Sequence, residues 1–152
     1  NPDMTAGVLM ARLKNGSFIV LDVIRRAENA ADVRRTITQT ALIDKAQYGM
    51  HTITIPQDPG QAGKDQASSY IKALAGYNVK TGPVTGDKVV RAVPFSAQWQ
   101  GKNVMLLQGD WNKEYLQELE GFPDTLHDDM VDASSDAFKC VANAVDWSAL
   151  IT

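Results

Sequence analysis

Phe122–Phe138, FPDTLHDDMVDASSDAF, places four carboxylates (Asp124, Asp128, Asp129 and Asp132) within nine residues at the mouth of a predicted helix. A helix turns about 100° per residue, so Asp129 and Asp132 are i,i+3 neighbours and Asp128 and Asp132 are i,i+4 neighbours. Like charges at those spacings repel unless a cation stands between them. Val131, Ser135, Phe138 and Ala142 recur at helical spacing on an adjacent flank, so the helix can lie on a core while its acidic first turn faces a cleft. Carboxylate oxygens are the hard ligands that Mg²⁺ and Mn²⁺ prefer. The macrodipole and capping explain one or two acids in a first turn, with Thr125 or Asp124 as the cap. Three on one flank leave two readings open, a metal site and a solvated acidic turn.

Upstream of this stretch the chain reads as a hairpin followed by alternating strands and helices. Thr5–Leu13 and Ser17–Arg25 are apolar runs around Asn15-Gly16, a strong short signal for an antiparallel hairpin. Ala27–Tyr48 carries Ala31, Val33, Ile37, Ala41, Ile43 and Ala46 at helical spacing and stops at Gly49, which predicts a long surface helix. His51–Gln57 predicts a short strand with Asp58 just past its carboxyl end, and Gln61–Ala75 a helix. A strand from Tyr77 to Lys80 makes this a parallel strand-helix-strand unit. Helices at Asp87–Gln98 (despite Pro94), Asn112–Glu120 and Thr125–Asn143, a strand at Val104–Gln108 and a terminal turn at Asp146–Leu150 complete the reading. The expectation is one domain over residues 1–152, an α/β sandwich around a mixed sheet. In such sheets ligands gather beyond the carboxyl ends of the central strands, so Asp58 and the acidic turn are candidates for a single site.

Composition narrows the function. The 152 residues are 44% hydrophobic, enough for a substantial core, and no apolar run approaches the roughly 20 residues that span a bilayer. The first residues lack the pattern of a signal peptide, and the single cysteine, Cys140, forms no internal disulfide, so a soluble protein of a reducing compartment is expected. A net charge of −3 and a pI near 5.3 argue against a protein that coats nucleic acid by charge alone. They leave room for a nuclease whose acids are gathered at one metal site.

Other motifs are weaker. DPGQAGKD (Asp58–Asp65) places Gly60, Gly63 and Lys64 before a helix, but its glycine spacing is wrong for a nucleotide loop and Asp65 replaces the needed hydroxyl. A tight turn whose glycines admit a DNA phosphate is preferred. His51 reads as structural, and His127 as a hydrogen-bonded residue at the helix start rather than a proton carrier. Lys88 and Arg91 form an i,i+3 basic pair, and with Lys64 they are the candidates for holding DNA backbone. Trp99, Trp111, Trp147, Phe95 and Tyr115 are most simply packing residues.

VLDVIRR (Val20–Arg26), QDPGQAGKDQA (Gln57–Ala67), the stretch Thr85–Pro123 and HDDMVDASSDAF (His127–Phe138) occur in an order that closely resembles the carboxyl-terminal nuclease domain of phage and prophage terminase large subunits. The resemblance implies a ribonuclease H-like, resolvase-related fold and a metal-dependent endonuclease that cuts concatemeric double-stranded DNA during packaging. It implies Mg²⁺ or Mn²⁺, two ions, held by Asp58, Asp128, Asp129 and Asp132, which match the family's acids. It also implies the portal protein, the small terminase subunit and the subunit's own ATPase domain as partners, no membrane, and the host bacterial cytoplasm. No Walker motif is present in these residues.

One departure stands out. The family's first catalytic Asp lies on an opening strand upstream of the segment resembling NPDMTAGVLMAR, so that first strand is expected to be missing here and Asp3 is a weak substitute. Little nuclease activity is therefore expected of these residues alone. Two rivals are kept: a non-enzymatic docking module of the packaging motor, in which the acids only cap a helix, and a Holliday-junction resolvase-like nuclease.

Overall fold

In a computed structural model, residues 4–143 are described; Asp3, Trp147 and the terminal turn expected at Asp146–Leu150 lie outside them. The element order is β1 (Met4–Arg12), β2 (Phe18–Ala27), α1 (Ala30–Tyr48), β3 (Thr52–Gln57), α2 (Gln61–Ala73), β4 (Asn78–Pro83), α3 (Lys88–Gln100), β5 (Val104–Leu106), α4 (Asn112–Gly121) and α5 (Asp129–Ala142). This is the expected mixed α/β, ribonuclease H-like architecture. The strands divide into two hydrogen-bonded sheets, ordered β1-β2-β5 and β3-β4, and the chain forms two compact units.

The first unit is built from Ala27–Gly86 with the start of β1. Asn29 caps α1 by accepting the Asp32 N–H at 2.9 Å, as a short polar side chain does before a helix. Of the apolar residues that define the α1 period, Ala41 is buried whereas Ile43 faces solvent. β3 and β4 run parallel in register from Thr52↔Asn78 to Gln57↔Pro83, the geometry that a helical crossover between them requires. Ala41, Tyr70 and Leu74 form the core of this unit against Ile37, Ile53, Ile55 and Val79.

The second unit holds Ala6–Arg26 and the chain from Asp87 onward. Asn15-Gly16 closes the β1-β2 hairpin: Gly16 takes φ 89°, and the Leu13 N–H donates to the Ser17 carbonyl at 2.7 Å. A turn this short makes the two strands antiparallel, while β5 joins β2 in parallel, Phe18 opposite Val104 and Val20 opposite Leu106. Asp87 caps α3 through the Val89 N–H at 2.7 Å, and the helix continues through Pro94 as expected. Phe18, Val20, Val23, Phe95, Tyr115, Met130 and Phe138 make the core. Burying each of its larger aliphatic or phenyl side chains contributes about 1.5–3 kcal/mol. Phe95, Trp99, Trp111 and Tyr115 pack as the sequence suggested. Phe138 sits edge-on to Phe18 at 4.8 Å, and Tyr115 is edge-on to Trp111 at 5.5 Å.

Candidate functional site

The acidic stretch is the start of α5, four residues later than the helical period predicted. The turn out of α4 uses the intervening residues: the Phe122 N–H donates to the Glu118 carbonyl at 3.0 Å and the Asp124 N–H to that of Gly121 at 2.9 Å. Leu126 consequently stands 92% exposed instead of on a helix face, and Asp124 is exposed as well. Asp128 becomes the residue before the helix, with φ −131° and no capping bond from its side chain. Val131, Ser135 and Phe138 are buried, so the flank assigned to the core is the one that lies there.

The cation that three neighbouring acids demand comes from α3. Lys88 Nζ reaches Asp128 Oδ2 at 2.7 Å and Asp132 Oδ2 at 4.0 Å, and Arg91 Nη2 donates to Asp132 Oδ1 at 3.4 Å. The hydrogen bond to Asp128 is the main cause that raises the Lys88 ammonium above its ordinary value. The Lys88–Asp128 pair is partly open to water and the Arg91–Asp132 pair part-buried, and a solvent-screened contact of this kind is worth less than about 1 kcal/mol. Their importance lies in where they hold the oxygens.

Asp129 is in a different position. Among the described residues no salt bridge neutralises it. Burial and then the charge of Asp128 raise its pKa, against the fields of His127 and Arg25. Two turns on, Asp136 is also raised by burial, with Arg91 opposing. A carboxyl group whose folded pKa exceeds the unfolded one binds more protons in the native state, so its contribution is fully present below the unfolded value and is lost as pH rises through the folded one. Asp136→Asn should therefore flatten the fall in melting temperature expected as pH rises from the unfolded value of 3.8 through the raised one. An unchanged slope in calorimetric melts would show that Asp136 contributes none of it.

α4 carries Glu118, which sequence reasoning missed, and Tyr115, which it read only as packing. Glu118, 6% exposed, accepts the Val131 N–H on Oε2 at 2.7 Å. Tyr115, fully buried, shares a 2.7 Å hydrogen bond with Ser134 Oγ, which donates to the Met130 carbonyl at 2.7 Å. Burial raises the Tyr115 hydroxyl and the Glu118 carboxyl alike. Arg25 on β2 pairs with Glu114, and the two residues line an open cleft of about 240 Å³ with Glu118, Thr125 and His127. The only signal in the sequence was the i,i+3 spacing of Tyr115 and Glu118 on one face of a short helix.

Asp58 lies in the first unit, exposed and immediately past the end of β3, where the strand pattern put it. Gly60 opens α2 with φ 89°, and Lys64 in its first turn is exposed. Gly63 is glycine for a local reason. A Cβ there would lie 1.8 Å from the carbonyl oxygen of Asp58, so the close approach it permits is to the protein's own backbone. His51 is structural, with Nδ1 3.2 Å from the Gly49 carbonyl and its ring edge-on to Tyr77.

The family model described as the terminase RNase H-like domain matches residues 1–139. The chain belongs to that family. None of the curated proteins matches it. As a terminase domain it is a nuclease-type DNA-packaging module, with DNA and packaging machinery as its general partners. No helix among the described residues is long and apolar enough to cross a membrane. Nor do three His, Cys, Asp or Glu side chains gather among them into a ready-made metal cage. The terminase domain still fits a hard divalent cation in donor type and in charge. Its candidate ligands are carboxylate oxygens, and Asp129 is a partly buried carboxylate beside a second acid with no salt bridge of its own.

Proposed function

We propose that the domain is the metal-dependent endonuclease of a DNA-packaging terminase, hydrolysing phosphodiester bonds of concatemeric double-stranded DNA. The observation that carries this reading is the match to the terminase RNase H-like domain over residues 1–139, with Asp129, a partly buried carboxylate at the start of α5, as its best-placed ligand. Asp58, Asp128, Asp129 and Asp132, the acids that match the family's, are the candidate ligands of the cation. Mg²⁺ or Mn²⁺, in the two-ion arrangement, would supply Lewis acidity and an activated water. The carboxylates act as ligands and not as nucleophiles. Lys88, Arg91 and Lys64 would hold backbone phosphates; the first two then exchange a carboxylate for another oxyanion.

The test is plasmid cleavage by the terminase subunit that carries this domain, with Mn²⁺ and with chelator. Asp58→Asn should abolish cutting and leave the circular dichroism spectrum unchanged, and persistent cutting removes Asp58 from the site. Comparing a four-way junction with linear duplex separates a packaging nuclease from a resolvase. A docking module would neither cut nor respond to Mn²⁺ in melting experiments.

A further inference from the structure

A helix begins with backbone N–H groups that have no partner within the helix, and the residue before it ordinarily supplies one. Asp128 occupies that place in α5, yet its side chain makes no capping bond. The carboxylate is instead 2.7 Å from Lys88 Nζ. The partner comes from another helix: Glu118 of α4 accepts the Val131 N–H at 2.7 Å. This puts a further acid next to a turn that already repels itself, in a position only 6% exposed.

We propose that Glu118 is the positioning residue of the acidic turn: by capping α5 from α4 it releases Asp128 from that task, fixes the directions of Asp128 and Asp129, and so sets the affinity for a divalent cation without itself being a ligand. The proposal rests on the reading of these aspartates as cation ligands. Three features support it. The oxygen that Glu118 gives to Val131 is committed to the backbone. Tyr115, three residues before it on α4, grips Ser134 in the second turn of α5, so the capping carboxylate is held in register with the helix it caps. Burial is the main cause that raises the Glu118 carboxyl and the charge of Asp129 adds to it, which places the two acids in one another's field.

The experiment measures Mn²⁺ binding by the whole chain, by titration calorimetry well below the melting temperature, in wild type, Asp129→Asn, Glu118→Asp and Glu118→Gln. Glu118→Asp keeps the charge and withdraws it by one methylene. It should weaken Mn²⁺ binding about tenfold, as loss of a group that orients a ligand does, and speed amide hydrogen exchange at Val131. Glu118→Gln keeps the reach and one acceptor oxygen, and it should bind close to wild type. A purely structural role would lower the melting temperature of Glu118→Asp and leave the Mn²⁺ affinity of the folded protein unchanged, which overturns the proposal. If wild type binds Mn²⁺ no better than Asp129→Asn, the ligand reading falls first and the proposal with it. If Asp129→Asn loses binding while both Glu118 variants keep it, only the proposal falls.

Discussion

Gly63→Ala should be the most damaging single-methyl change in the described chain. An added Cβ would sit 1.8 Å from the Asp58 carbonyl oxygen and 2.6 Å from its carbon, both backbone atoms, and no real Cβ tolerates contacts under 3.0 Å. Relief requires α2 and the end of β3 to separate, because no flexible side chain can give way. Overpacking that moves backbone costs about 3 kcal/mol or more. For a domain of this size that lowers the melting temperature by roughly 10 °C. Asp58 would shift with its main chain, so cleavage should fall even where the fold survives. A thermal melt by circular dichroism decides the matter: a Gly63→Ala protein within about 2 °C of wild type would mean that the approach of α2 to Asp58 is not close in solution.

Asp129→Asn should move stability in opposite directions with and without metal. Burial and the neighbouring charge of Asp128 both disfavour the ionised carboxylate, so removing its charge relieves the metal-free protein. The site is partly open to solvent, which keeps the gain within about 0.5 kcal/mol, or 1–2 °C. With Mn²⁺ the sign reverses. A cation at a hundred times its dissociation constant stabilises the native state by about 2.7 kcal/mol, worth roughly 5–10 °C at this chain length. The variant should lose most of that shift. Paired melts with Mn²⁺ and with chelator read both effects, and an Asp129→Asn protein that keeps the wild-type Mn²⁺ shift would remove Asp129 from the ligand set.

Local patterns carried most of the fold. Asn15-Gly16 sat between two apolar runs and made a hairpin, and Gln57 followed by Asp58-Pro59-Gly60 ended a strand and opened a helix. Val131, Ser135 and Phe138 chose the buried flank of α5 because a 3.6-residue period survives whatever packs against it. The start of α5 was harder to place. A period carries no information on where the previous helix stops unwinding, and Gly121–Asp124 claimed residues that fitted either element.

The site was half legible for a related reason. Lys88 and Arg91 were visible as a basic pair and the aspartates as an acidic one, but their pairing joins residues about forty apart and exists only after α3 and α5 pack. Glu118 was less visible still. A buried carboxylate reads as an ordinary surface acid until the backbone that it serves, thirteen residues away, is in place.

The chain Tyr115–Ser134–Met130, joined by two hydrogen bonds of 2.7 Å inside the core, has a mechanical consequence. α4 and the first turns of α5 are riveted at both an apolar and a polar point, so neither slides or swivels without the other. Whatever grips the outer side of α4 therefore also has a lever on the aspartates.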